Sequence, residues 1–230
     1  MKPHWLNKKR ILYYNGFFGV AIIVLFLWHY PDQVKQKERK GDTTQYTQPH
    51  VGDHYRLYNK EAKVTLVNYF SFDCVHCNKA YLMEDTLLSS LPEKVTKNIN
   101  IVYRHNPLLS QPLSKGKALI GECVARQSGD ARFFAFMQES FATYKNSSSN
   151  DWFVALAKKY VLSQDMLTSC LNDSSVKAFI QQQKNDNVLS DITYTPTVLI
   201  FREGEFIHKY DRVGENVVHE VLKYYLYQNK

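Results

Sequence analysis

The chain has 230 residues, 44% of them hydrophobic, and a formal net charge of +7. That length allows one large domain or one domain with appendages, and the apolar content suffices for a true core. Residues 1–50 carry +5 of that net +7, their basic residues flanking an apolar stretch. The remainder is nearly neutral and shows no basic-aromatic stripe, which excludes nucleic acid as the partner.

Ile11 to Tyr30 is 20 residues without a charge, long enough for a helix to cross a hydrocarbon core. Tyr13, Tyr14, Trp28 and Tyr30 lie near its ends, where amphipathic rings favour the interface. Lys8, Lys9 and Arg10 precede it, as expected of a cytoplasmic N-terminus. The reading is a cytoplasmic stub and transmembrane anchor over residues 1–30. A cleaved signal peptide is the competing reading, but Trp28-His29-Tyr30-Pro31 offers no small-residue cleavage site. Residues 31–50 are polar and charged and read as a flexible linker.

His54 to Tyr58 reads as a short strand, and Val64 to Phe72 as a long one. The long strand runs into Cys74-Val75-His76-Cys77, and a helical pattern follows from Asn78 to Leu91. A dithiol between a strand and a helix has one reactive thiol, because unpaired N–H groups at the helix start carry partial positive charge. Cys74 is expected there, exposed and ionised, with Cys77 one turn later beneath it. His76 is positioned to add a hydrogen bond or a charge to the Cys74 thiolate. The rival readings are half a zinc site and an inert bridge. Zinc needs two further ligands, and neither Cys123 nor Cys170 has the spacing to supply them. The pair therefore reads as a redox dithiol, with no metal and no cofactor.

Asn98 to His105 is a third strand, so strand, helix and strand predict a right-handed βαβ unit. A helical region spans about Pro112 to Asn187, interrupted at Ser128-Gly129-Asp130, at Lys145 to Asn150, and near Ser163 and Ser174, which are plausible N-caps. Phe133, Phe134, Phe136, Met137 and Phe141 recur at helical spacing and read as core. His105, His208 and His219 read as satisfied or exposed histidines. Thr195 to Phe201 and Phe206 to Tyr210 form a hairpin pattern around Arg202-Glu203-Gly204-Glu205. Val217 to Tyr227 closes the chain as an amphipathic helix.

This order resembles the DsbA-like thiol–disulfide oxidoreductases: a thioredoxin fold with an inserted α-helical domain, of class α/β. Cys74-Val75-His76-Cys77 is similar to that family's Cys-Pro-His-Cys, with Val replacing Pro. Thr195-Pro196 is similar to its cis-proline loop. Gly121 to Gln127 and Leu167 to Leu171 resemble segments of members with a second disulfide. The resemblance implies a thioredoxin-fold domain over residues 51–111 and 188–230, with the helical domain at 112–187. It implies Cys74 as nucleophile, Cys77 as resolving thiol, and Pro196 in cis, with the Thr195 backbone beside Cys74 for a client peptide.

By the same resemblance, clients are unfolded or partly folded proteins with thiols, and the redox partner is a membrane protein, a quinone-linked reoxidant or else a reductant. Cys123 and Cys170 are either small buried hydrophobes or a bridge worth about 4 kcal/mol in the chain-entropy model. An anchor would place them outside the cytosol, where bridges persist. The leading expectation is an oxidase of exported proteins, anchored in the inner membrane and facing the periplasm or cell exterior. The alternatives are an isomerase or reductase, which Thr195 before the proline favours, and a non-enzymatic client-binding module.

Overall fold

A computed structural model of the chain describes residues 46, 49, 52–108, 113–143 and 149–211. The anchor, nearly all of the linker and the closing helix lie outside the described residues. Among those described, no helix is long and apolar enough to cross a membrane.

Among the described residues, five strands form one mixed sheet: β1 (His54–Leu57), β2 (Val64–Phe70), β3 (Ile99–His105), β4 (Thr197–Arg202) and β5 (Glu205–Asp211), in the order β1-β3-β2-β4-β5. β2 is central, parallel to β3 and antiparallel to β4. A central strand covered on both faces must be apolar nearly throughout, and β2 reads Val-Thr-Leu-Val-Asn-Tyr-Phe with six of seven residues buried. Its side chains alternate between two cores. Val64, Leu66 and Phe70 face the larger core, shared with Ile99, Ile101, Tyr103, Val198 and Ile200. Val67 and Tyr69 face the smaller one, with Val102, Leu199 and Phe201.

Helix α1 (Val75–Ser90) joins β2 to β3, with a single turn, α2 (Glu93–Thr96), after it. This is the βαβ unit that the pattern predicts. The helical insertion comes between β3 and β4: α3 (Ser114–Ala142), α4 (Asn150–Ala157), α5 (Gln164–Asn172) and α6 (Ser174–Leu189). Gly129, at φ 75° and ψ 173°, breaks α3 into two segments, a conformation only glycine adopts without strain. The phenylalanine-rich stretch is core: Phe133, Phe136 and Met137 are fully buried, and Phe134 and Phe141 nearly so.

The caps differ in one place. Ser163 is the N-cap of α5, but Asp173 rather than Ser174 caps α6, its carboxylate accepting from the Ser175 backbone N–H at 2.7 Å. Asp and Ser are nearly equal as N-caps, so Asp173-Ser174-Ser175 leaves the boundary open by one residue.

Candidate active site

The larger core positions the dithiol. β2 ends at Phe70, and the chain turns back so that the Cys74 N–H donates to the Ser71 carbonyl at 3.1 Å. Cys74 keeps an extended backbone, φ −92° and ψ 109°, and is the N-cap of α1. The helix therefore begins at Val75 and not at Asn78, because a sulfur does the work of a capping oxygen. The Cys77 backbone N–H donates to Cys74 Sγ at 3.1 Å.

Both cysteines are free thiols. Ionisation of Cys74 is favoured first by the hydrogen bond from the Cys77 thiol. Burial opposes it, and Thr195 and the backbone N–H groups of Cys77 and His76 add to the favourable side. Together they bring its pKa down from the ordinary thiol value to about 6. Cys77 behaves oppositely. Enclosed by the core, it cannot be solvated as an anion, and the neighbouring sulfur repels a second charge, so its pKa rises well above the usual value. One thiol is ionised near neutrality and the other stays protonated.

The cis peptide between Thr195 and Pro196 abuts this pair. In its thiol form Cys74 Sγ donates to the Thr195 carbonyl, at 3.3 Å. The Thr195 hydroxyl is buried with no hydrogen-bond partner, which leaves it available to the thiolate. Pro196 lines a small cavity with Cys77, Asn68, Tyr81 and Glu84.

Two sequence expectations change. Cys74 is not exposed. It is 5% accessible, because its sulfur turns inward to cap the helix and meet Thr195. What the surface shows instead are Val75 at 48% and Tyr194 at 44%, apolar flanks around a recessed sulfur. His76 is exposed, and its contribution to Cys74 is its backbone N–H. The imidazole makes no hydrogen bond to the sulfur.

The remaining cysteines are bonded to each other. Cys123 on α3 and Cys170 on α5 form a disulfide with Cα atoms 5.8 Å apart. His105 is neither exposed nor satisfied: it is 1% accessible, Nε2 makes no hydrogen bond, and burial holds its pKa down at about 3. It ends β3 among Phe70, Phe72 and Phe133, and those rings offer it no acceptor.

Several residues at the site escape sequence reading. Lys117 of α3 is buried and pairs with Asp73, next to Cys74, and Ser71 bonds Ser114 at 2.9 Å. Both contacts bind the insertion to the active-site turn across more than forty residues, with no local signal. Glu84 is different. Cys77, Ala80, Tyr81 and Glu84 form the buried face of α1, and their helical spacing is visible in the sequence. Glu84 accepts from Tyr103 Oη and Arg56, and burial raises its pKa.

Fold and site together define a thioredoxin-fold dithiol. A family model described as thioredoxin matches residues 47–215, and the chain belongs to that family. No curated protein sequence matches it. Among solved structures it is similar to alpha-DsbA1 of Wolbachia pipientis, at 20% identity and TM-score 0.63, over 76% of this chain and 92% of that one. It is also similar to DsbA2 of Pseudomonas aeruginosa, at 19% and 0.58, over 78% and 97%. For oxidised BdbD of Bacillus subtilis the values are 17% and 0.61, over 78% and 96%. These likenesses are of fold.

Proposed function

We propose that the protein is a thiol–disulfide oxidoreductase that introduces disulfides into client proteins. The observation that carries this is the opposite titration of two sulfurs one turn apart, with Cys74 ionised at about 6 and Cys77 held protonated. A client thiolate attacks Cys74 of the Cys74–Cys77 disulfide, and Cys77 leaves and takes up a proton. The client's second thiolate then attacks its own sulfur in the mixed disulfide, and Cys74 leaves with the electron pair. The client is oxidised by two electrons and the dithiol remains reduced. A stabilised Cys74 thiolate is a good leaving group, and a protonated Cys77 is a poor competitor for the mixed disulfide.

The apolar run from Ile11 to Tyr30 supports a membrane anchor, and the Cys123–Cys170 bond supports an oxidising compartment. Exported proteins are the client class that meets both conditions, and a membrane redox partner would reoxidise the pair. The neighbours named DsbA and BdbD accord with this reading.

Thioredoxin, with a nucleophile pKa near 7, sits at about −270 mV, and DsbA, near 3.5, at about −120 mV. Equilibration against glutathione buffers tests the proposal. The expected potential lies above thioredoxin's about −270 mV, toward DsbA's about −120 mV, and a value at or below about −270 mV assigns a reductant instead. A value near about −180 mV, that of protein disulfide isomerase, favours a second reading, disulfide isomerase. Refolding of scrambled ribonuclease separates the two: an isomerase rescues it, while an oxidase acts only on the reduced form. Retention of cellular function by Cys74→Ala would select the non-enzymatic client-binding module.

A further inference from the structure

A second cluster lies where the insertion meets the sheet. His54 of β1, His105 of β3 and Glu122 of α3 are all buried, and one ligand atom from each lies within 4.8 Å of the others. His54 Nε2 is 2.9 Å from Glu122 Oε2, and His105 Nε2 is 3.8 Å from the same oxygen. Three polar atoms thus converge on one point in an otherwise aromatic interior.

Their surroundings are arranged as for metal ligands. Asp130 Oδ1 lies 3.2 Å from His54 Nδ1, which directs Nε2 at Glu122. Asp130 is itself held by the Tyr55 backbone N–H at 2.9 Å. Arg126 Nε donates to Glu122 Oε1 at 2.7 Å and leaves Oε2 for the cluster. A carboxylate behind a ligating histidine, and a hydrogen bond behind a ligating carboxylate, are the usual outer partners of a metal site. His105 is the independent observation. Its Nε2 is buried, makes no hydrogen bond and faces the carboxylate, and an interior ring nitrogen without a partner is costly.

We propose that His54, His105 and Glu122 bind one divalent transition-metal ion, zinc by the chemistry of two imidazoles and a carboxylate. The ion takes the place of the hydrogen between His54 Nε2 and Glu122, and that proton leaves to solvent. Metal-to-ligand distances of about 2.0–2.2 Å set ligand atoms roughly 3.3 Å apart, between the two separations to Glu122 Oε2. A water completes four ligands. His54 packs on Phe133 with ring centroids 4.4 Å apart, and His105 is walled by Phe70, Phe72 and Phe133. This enclosure suits a structural ion that ties α3 to β1 and β3.

The test uses the full chain with Cys74–Cys77 oxidised, so that those sulfurs cannot bind metal. Zinc or cobalt(II) is added alone, and binding is followed by titration calorimetry, melting temperature and the visible absorption of cobalt. One equivalent is expected, with Tm rising by roughly 5–10 °C at a hundredfold excess over Kd. The cobalt spectrum should lack sulfur-to-metal charge transfer. His105→Leu should abolish the rise while leaving the metal-free Tm nearly unchanged, since Nε2 has no hydrogen bond to lose. Glu122→Gln should also abolish it; if that variant does not fold, His105→Leu decides alone. No binding by the parent, or an equal Tm rise in His105→Leu, overturns the proposal.

Discussion

Three of the four cysteines are buried and Cys170 partly so, yet one pair is two free thiols that titrate in opposite directions and the other is a staple. Cys74 is 5% accessible and Cys123 is wholly buried, so exposure does not separate them. Their partners do. Cys74 caps a helix, accepts a backbone N–H from Cys77 and lies against Thr195, whereas Cys123 sits within α3, opposite Cys170. Reactivity here is a matter of which dipoles point at a sulfur. Sequence separation tells the same story: three residues put both thiols on one helical turn, while 47 residues let a bond between helices close a long loop.

Removing Cys74 gives the largest effect. Cys74→Ser should lower thiol–disulfide exchange with a model peptide by on the order of 10³-fold or more, since no other sulfur lies at the helix start. Cys77→Ser, given a disulfide-bonded peptide, should instead accumulate the mixed disulfide formed when the Cys74 thiolate attacks that bond and releases one peptide thiolate, seen by mass spectrometry without reductant. If Cys74→Ser retained exchange, the contrast between the pairs would fail.

Next comes the staple. Replacing Cys123 and Cys170 together by Ser should cost about 4 kcal/mol, from the entropy of a loop of this length. For a domain of this size that is a Tm drop of roughly 8–16 °C. Exchange rates well below the transition should stay within about twofold. Loss of activity in step with stability would mean that the bridge also shapes the site.

A smaller effect tests how the insertion meets the active-site turn. A Cβ on Gly121 would stand 2.6 Å from the Phe72 ring, and Phe72 lies two residues before Cys74. Gly121→Ala should destabilise by about 1–3 kcal/mol, as other overpacked cores do, readable by urea denaturation. An unchanged midpoint would show that Phe72 yields freely.

How much of this was legible follows from the range of each signal. The βαβ unit, the dithiol and the hairpin are local patterns of period and turn chemistry, and the thioredoxin fold follows from their order. Cys74, Cys77, Thr195 and Pro196 do meet, though Thr195 is 121 residues from Cys74; resemblance placed them together, since no period could. Lys117 beside Asp73 and the convergence of His54, His105 and Glu122 had no such guide. Each depends on how α3 lies across the sheet, which nothing local encodes. The recessed Cys74 was missed for a related reason: exposure belongs to the loop that arrives, not to the residue.

The smallest effect concerns His76 and sharpens the same point. If the Cys77 thiol, Thr195 and the backbone N–H groups make the thiolate, the imidazole next door is dispensable. Thiolate absorbance of the reduced protein should titrate with a midpoint of about 6. The folded pKa lies below the unfolded one, so between about 9 and 6 the unfolded chain holds more protons at Cys74. The Cys74 contribution to stability of the reduced form is therefore present above that window and lost as pH falls through it. Cys77, raised, adds nothing to this slope below 9, because it is protonated in both states. His76→Ala keeps the N–H that faces the sulfur, so it should move the midpoint by less than about half a unit. A rise of a full unit would assign the effect to the imidazole, and the helix end would then account for only part of what distinguishes Cys74 from Cys123.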